Sequence, residues 1–192
     1  MTSRFESALN EHSALVLRVK AELLPNLQRA ADMMIESMRS GNKAIFFGNG
    51  GSAADAQHLA AEFVGRFARE RRGLPALALS VNTSSITAIG NDYGFEDIFV
   101  RQVEAFGHPG DVAVGLTTSG NSPNVVLALV RAKKLGLKTI AFSGRDGGKV
   151  AAAADLTLVV PHSSTPRIQE MHITLGHLLC EAVEATLFPE AK

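Results

Sequence analysis

The sequence predicts an α/β fold, a doubly wound five-stranded parallel sheet with helices on both faces and a helical N-terminal extension. Three observations carry this. Short apolar, β-rich runs recur at residues 43–47, 76–80, 111–116, 138–143 and 156–160. Segments of helical period separate most of them, and strands that alternate with helices pair in parallel and are covered on both faces. A chain of 192 residues, 46% of them hydrophobic, can bury one sizeable core and is short for two. Residues 1–192 are therefore expected to form one domain, with residues 1–40 packed on it as the extension.

The extension reads as two helical stretches on either side of Leu24-Pro25, since proline disfavours the helical conformation just before it. The second stretch carries Leu27, Ala30, Ala31, Met34 and Met38 at helical spacing and ends at Gly41-Asn42. Further helices are expected over residues 52–70, 96–106, 123–135 and 167–187, each opening beside a Ser, Asp, Asn or Pro suited to a helix start. The last of them is apolar nearly all round, with Ile168, Met171, Leu175 and Leu179 on one side and Ile173 and Cys180 on another. Such a helix is buried on two sides, which predicts a subunit interface beside the core and hence an oligomer.

Composition excludes several classes. Lys plus Arg and Asp plus Glu both number 19, so the formal charge is zero and no basic field is available to hold nucleic acid. Residues 1–20 mix Arg4, Glu6, Glu11 and Arg18 among apolar residues, so neither an export signal nor membrane contact is expected. The single cysteine, Cys180, allows no intrachain disulfide and no cysteine-based zinc site. A cytoplasmic location is the expectation.

Two loops suit a phosphate. The first strand runs into Gly48-Asn49-Gly50-Gly51-Ser52 and then a helix, where backbone N–H groups can approach an anion at the positive helix end. Read as Gly48-x-Gly50-x-x-Ala53, this turn also fits a loose dinucleotide fingerprint. That reading needs an acidic residue closing the second strand, which instead ends Ser80-Val81-Asn82. After the third strand, Thr117-Thr118-Ser119-Gly120-Asn121-Ser122 clusters hydroxyls and amides before a helix that starts at Pro123. Its place at the carboxyl end of a central strand favours ligand binding over a mere turn.

Two helices carry polar stripes. Asp55, His58, Glu62 and Arg66 follow one another at spacings of three and four, where a solvated face with a Glu62–Arg66 pair is the plain alternative to a site. On the last helix, Gln169, His172, Gly176, His177 and Cys180 share a stripe on an element too apolar to face water, and buried polar groups need partners. His58, Glu62, Gln169 and His177 together offer two nitrogens and two oxygens. That set is compatible with a zinc ion or with an acid and base pair, although spacing cannot bring the two helices together.

The runs Gly48 to His58, Gly90-Asn91-Asp92-Tyr93-Gly94, Thr118 to Ser122 and Arg167-Ile168-Gln169-Glu170 resemble, in order and spacing, the motifs of the phosphoheptose isomerases of the sugar isomerase (SIS) fold, which is flavodoxin-like. The resemblance covers nearly the entire chain. It implies a homotetramer that converts sedoheptulose 7-phosphate to D-glycero-D-manno-heptose 7-phosphate, the first step toward nucleotide-activated heptoses. It assigns substrate contacts to Asn49, Gly50, Gly51, Ser52, Glu62, Asn91, Asp92, Thr117, Thr118, Ser119, Ser122 and Gln169. It assigns zinc to His58, Glu62, Gln169 and His177. The chemistry agrees: shifting a carbonyl between C1 and C2 needs one base and one acid, for which Glu62 and His177 are the candidates. Asp55 and Arg66 are candidate supports, and His172, turned away from His177, is expected to pack. The resemblance extends to a non-catalytic SIS protein that binds the replication initiator, but that relative lacks the counterparts of Glu62 and His177. A sugar-phosphate-sensing module would keep the loops without needing that pair.

Overall fold

The computed structural model describes residues 2–189. Strands β1 (Ala44–Gly48), β2 (Ala76–Ala78), β3 (Val112–Leu116), β4 (Lys138–Gly144) and β5 (Leu156–Val160) form one sheet in the order β2-β1-β3-β4-β5, every neighbouring pair parallel. Helices α1 (Thr2–Arg39), α2 (Gly51–Val64) and α7 (Thr165–Leu187) cover one face. The other face carries α3 (Thr83–Asp92), a 3-10 turn (Phe95–Asp97), α4 (Val100–Phe106), α5 (Pro123–Lys134) and α6 (Val150–Ala153). Alternation along each strand feeds both layers. Phe46 packs with Val114, Ile140 and Phe142 under α1, α2 and α7, whereas Ile45 and Phe47 pack with Ala113 and Ala141 under α4 and α5. The α/β doubly wound architecture expected from the sequence is the one observed.

Several element bounds differ from expectation. Pro25 does not split the extension: α1 runs unbroken from Thr2 to Arg39 with the proline inside it. Leu15, Val19, Leu23, Leu27, Ala30 and Met34 form one buried stripe across it, while Leu24 and Pro25 face solvent. An interior proline costs about 3 kcal/mol. Each buried leucine returns roughly 2 kcal/mol, and a carbonyl freed on the solvent side bonds water, so packing wins.

Helix α2 stops at Val64 rather than residue 70, because residues 67–69 donate their N–H groups to the Glu184 carboxylate on α7 instead of continuing the helix. The expected helix over 96–106 is divided into the 3-10 turn and α4. Helix α3, capped by the Asn82 side chain on the Ser85 N–H at 2.9 Å, has no counterpart among the expected helices; none of its residues is buried, so no apolar stripe announced it.

Candidate active site

The sheet order puts β1 beside β3, and the chain leaves β1 for α2 on one face and β3 for α5 on the other. This is a topological switch point, where the carboxyl ends of adjacent strands leave a crevice. Both phosphate-suited loops open into it. In the second loop the Thr117 hydroxyl lies 2.9 Å from that of Ser122 and 3.4 Å from that of Ser119, and the Asn121 N–H donates to Ser119 Oγ at 3.2 Å. Thr118 and Ser119 are half-buried, and Ser122 precedes α5 at its N-cap position, its hydroxyl turned to Thr117 rather than to a helix N–H, with Pro123 in the first turn. Ser52, in the first turn of α2, is buried, and its N–H bonds the Asn49 carbonyl at 3.0 Å. A cleft of about 210 Å³ lined by Asn49, Gly50, Ser80, Ile86 and Phe95 opens beside the first loop.

The loops are tied across the crevice by a residue that received no role in the sequence reading. Asn49 Nδ2 donates to Asn124 Oδ1 at 2.8 Å, and Asn124 Nδ2 returns a bond to Asn49 Oδ1 at 2.9 Å. Asn124 is 2% exposed, so this two-way amide pair sets how the first loop sits against the start of α5. The available signal was an amide side chain in the first turn of a helix that begins with Pro123.

The second half of the site lies where α2 meets α7. A Cβ on Gly176 would stand 2.6 Å from Leu59 Cδ2, so only glycine lets the helices approach this closely. The next residue, His177, thereby reaches α2. His58 Nε2 lies 2.9 Å from His177 Nε2 and 3.4 Å from Glu62 Oε1. One ligand atom from each of the three residues lies within 4.8 Å of the others. Neighbouring donors around a tetrahedral ion with bonds of about 2.1 Å stand roughly 3.4 Å apart, so this donor set fits a divalent ion that accepts nitrogen and oxygen.

Gln169, two turns earlier on α7, lies against the start of α2: its amide occupies the place a Cβ on Gly51 would take, and it neighbours Asp55. Burial pushes the Asp55 carboxyl above the usual carboxylate range, against the Gln169 amide and the nearby His58 and His177, which favour its charge. Cys180, one turn beyond His177, has its thiol pushed up to about 12, by burial first and then by Glu62, so it supplies no thiolate at neutral pH.

The remaining candidates fall elsewhere. Asn91 and Asp92 are exposed at the end of α3, with Asn91 Nδ2 bonded to Asp92 Oδ1 at 2.8 Å. Arg66 pairs with Glu70 at 3.8 Å and not with Glu62, because α2 has ended and the chain has turned away. His172 is fully buried and packs edge-on against Phe142, its Nε2 lying 3.0 Å from the Ser143 carbonyl.

The arrangement offers an anion site at the switch point and a His/Glu/His cluster farther along α2, where α7 meets it. Comparison with known proteins places the chain in a family. A family model described as SIS domain matches residues 9–144. The phosphoheptose isomerase of Citrifermentans bemidjiense is 52% identical over 192 residues, 100% of both chains. That of Aquifex aeolicus is 64% identical over 154 residues, 80% of this chain and 81% of its own. The structure of the phosphoheptose isomerase from Neisseria gonorrhoeae superposes with a TM-score of 0.91 at 43% identity, covering 96% of this chain and 98% of that one. The fold and full-length identity together settle the family: the chain belongs to the SIS domain proteins and, among them, to the phosphoheptose isomerases.

Proposed function

We propose that this chain is the aldose–ketose isomerase that converts sedoheptulose 7-phosphate to D-glycero-D-manno-heptose 7-phosphate through an enediol, opening nucleotide-activated heptose synthesis. The observation that carries the reading is the meeting of Glu62 and His177, far apart in sequence, within 4.8 Å, at the helix that leaves the first phosphate-suited loop. With the phosphate on Ser52, Thr117, Thr118, Ser119 and Ser122, the sugar extends along α2 toward the cluster, guided by Asn49, Gly50, Gly51 and Gln169. Glu62 takes the C1 proton of the ketose while His177 gives a proton to the C2 oxygen, which leaves the enediol. Glu62 then returns its proton to C2, and His177 recovers one from the C1 oxygen, so no atom is gained or lost.

His58, Glu62, Gln169 and His177 would hold zinc, whose chemistry here would be to polarise the substrate oxygens and stabilise negative charge on the enediolate. One domain spanning residues 1–192 would suffice, in the cytoplasm; among the described residues no helix is long and apolar enough to cross a membrane. A homotetramer is supported by an apolar groove of about 300 Å³ between α1 and α7, lined by Val16, Leu23, Leu27, Met171 and Leu175. Leu24 and Leu178 on its rim are 48% and 42% exposed, more apolar surface than a solitary subunit gains by showing.

Purified protein should convert sedoheptulose 7-phosphate, lose that activity with a chelator and regain it with zinc. Turnover indifferent to the chelator would remove the metal, and no turnover with any metal would remove the isomerase. Asn124→Ala should raise KM for the sugar phosphate about tenfold with kcat little changed, because a buried pair of amide bonds is worth roughly 1–3 kcal/mol. An unaltered KM in steady-state assays would separate Asn124 from substrate binding.

A further inference from the structure

Nothing in the reaction uses Glu184, the carboxylate with the most hydrogen bonds among the described residues. Glu184, on α7, and Arg71, in the loop after α2, form an ion pair at 2.7 Å with both side chains 2% exposed. Glu184 Oε1 accepts from the Phe67 N–H at 3.0 Å and from Arg71 Nε, while Oε2 accepts from the Ala68 and Arg69 N–H groups at 2.7 and 2.8 Å. Burial alone would raise this carboxyl; the three amides and the guanidinium outweigh it and hold it down to about 2. The anion is therefore permanent at any working pH.

Beside one bond to the Arg72 carbonyl at 3.1 Å, Arg71 turns its remaining donors to the end of α2. Nη2 donates to the Glu62 carbonyl at 2.9 Å, and Nη1 to the carbonyls of Phe63 at 2.9 Å and Gly65 at 3.2 Å. These are the orphan carbonyls of a helix C-terminus, where a cation is also favoured by the helix dipole. One of them belongs to Glu62 itself. On the other side, Glu184 lies seven residues beyond His177, about two turns along one face of α7. Phe67 closes the ring of contacts: its N–H rests on Glu184, and its ring centroid is 5.6 Å from that of His177.

We infer that Arg71 and Glu184 are positioning residues of the active site, a buried clamp that joins the end of α2 to α7 and so keeps His58, Glu62 and His177 at ligating distance before any ion or substrate arrives. Partly exposed ligands on two separate helices need such a tie, since misplacement by about 1 Å can cost a hundredfold in rate. The phosphate loops lie at the opposite end of α2, so the clamp acts on the reacting end of the site and not on substrate anchoring. The inference deepens the isomerase reading and rests on it for its kinetic readout; its metal readout is independent.

The test uses full-length Glu184→Gln and Arg71→Lys, the latter keeping the charge but losing the planar fork that spans several carbonyls. Zinc affinity of the metal-free proteins is measured by competition with a chromophoric chelator, alongside kcat, KM and the thermal midpoint. Expected are zinc binding weakened about 10- to 100-fold, the range found for groups that orient metal ligands, and a matching fall in kcat with KM unchanged. A lowered midpoint with wild-type zinc affinity and kcat would overturn the clamp, leaving the pair a loop anchor. Failure of both variants to fold would overturn it likewise, assigning the pair to the fold as a whole. Wild-type protein that binds zinc but does not isomerise the sugar would remove the isomerase reading while the affinity comparison still decides the clamp.

Discussion

Glu62→Gln should lower kcat by roughly 10²- to 10⁴-fold, the contribution of a positioned general base, while the protein remains folded. Glutamine keeps the shape and removes the charge, and the site is half-buried, so little packing is disturbed. The side chain faces His58 at 3.4 Å, and an amide there can still donate or accept. The loss should therefore appear in kcat rather than KM, since the phosphate loops and the Asn49–Asn124 tie are untouched. Steady-state kinetics with a circular-dichroism control checks this, and a variant retaining a tenth of wild-type turnover would exclude Glu62 as the base.

Stability should fall on acidification between about pH 6.5 and pH 4, and His172 should be a main cause. Burial lowers its pKa from 6.5 to about 4, only partly opposed by the bond to the Ser143 carbonyl. The folded state thus holds the imidazole neutral, whereas the unfolded chain protonates it near 6.5. Its contribution is complete above 6.5 and is lost as pH falls toward 4, reaching roughly 3 kcal/mol. Nδ1 of this histidine is buried without a partner, so a proton there would find no acceptor. Urea unfolding at pH 7 and pH 4.5 should show this loss in the wild type and much less of it in His172→Gln, which can still donate to Ser143. Ion-paired carboxylates such as Glu184 titrate lower and are common to both proteins, so they cancel. Equal pH dependence in the two would dismiss His172 as the source.

These two histidines on one helix show how far residue patterns reach. The five-residue offset separates His172 from His177 on any helix, so one packs on Phe142 while the other meets His58. That much is local geometry. The partner of each is not: the apparent Glu62–Arg66 pair, at ideal helical spacing, does not form, because α2 ends between them and Glu62 turns to His58. Asn91 and Asp92, to which the resemblance assigns substrate contacts, form the end of a helix with no buried face, whose signal in the sequence was correspondingly weak.

The sequence by itself determined the five strands and the longer helices between them, the two anion-suited loops and the residue types available for acid, base and metal-ligand roles. Side-chain period, glycine and hydroxyl clusters and helix starts all act within a few residues, so they can be read along the chain. Only the tertiary structure decided that β1 and β3 adjoin, that Gly176 brings His177 onto α2, that Asn49 pairs with Asn124 and that Arg71 finds Glu184. It also decided that α1 passes unbroken through Pro25, because a stripe buried against the rest of the molecule outweighs a local penalty. Each of these depends on groups distant along the chain whose contact no spacing encodes, and whose energy is realised only when the layers pack.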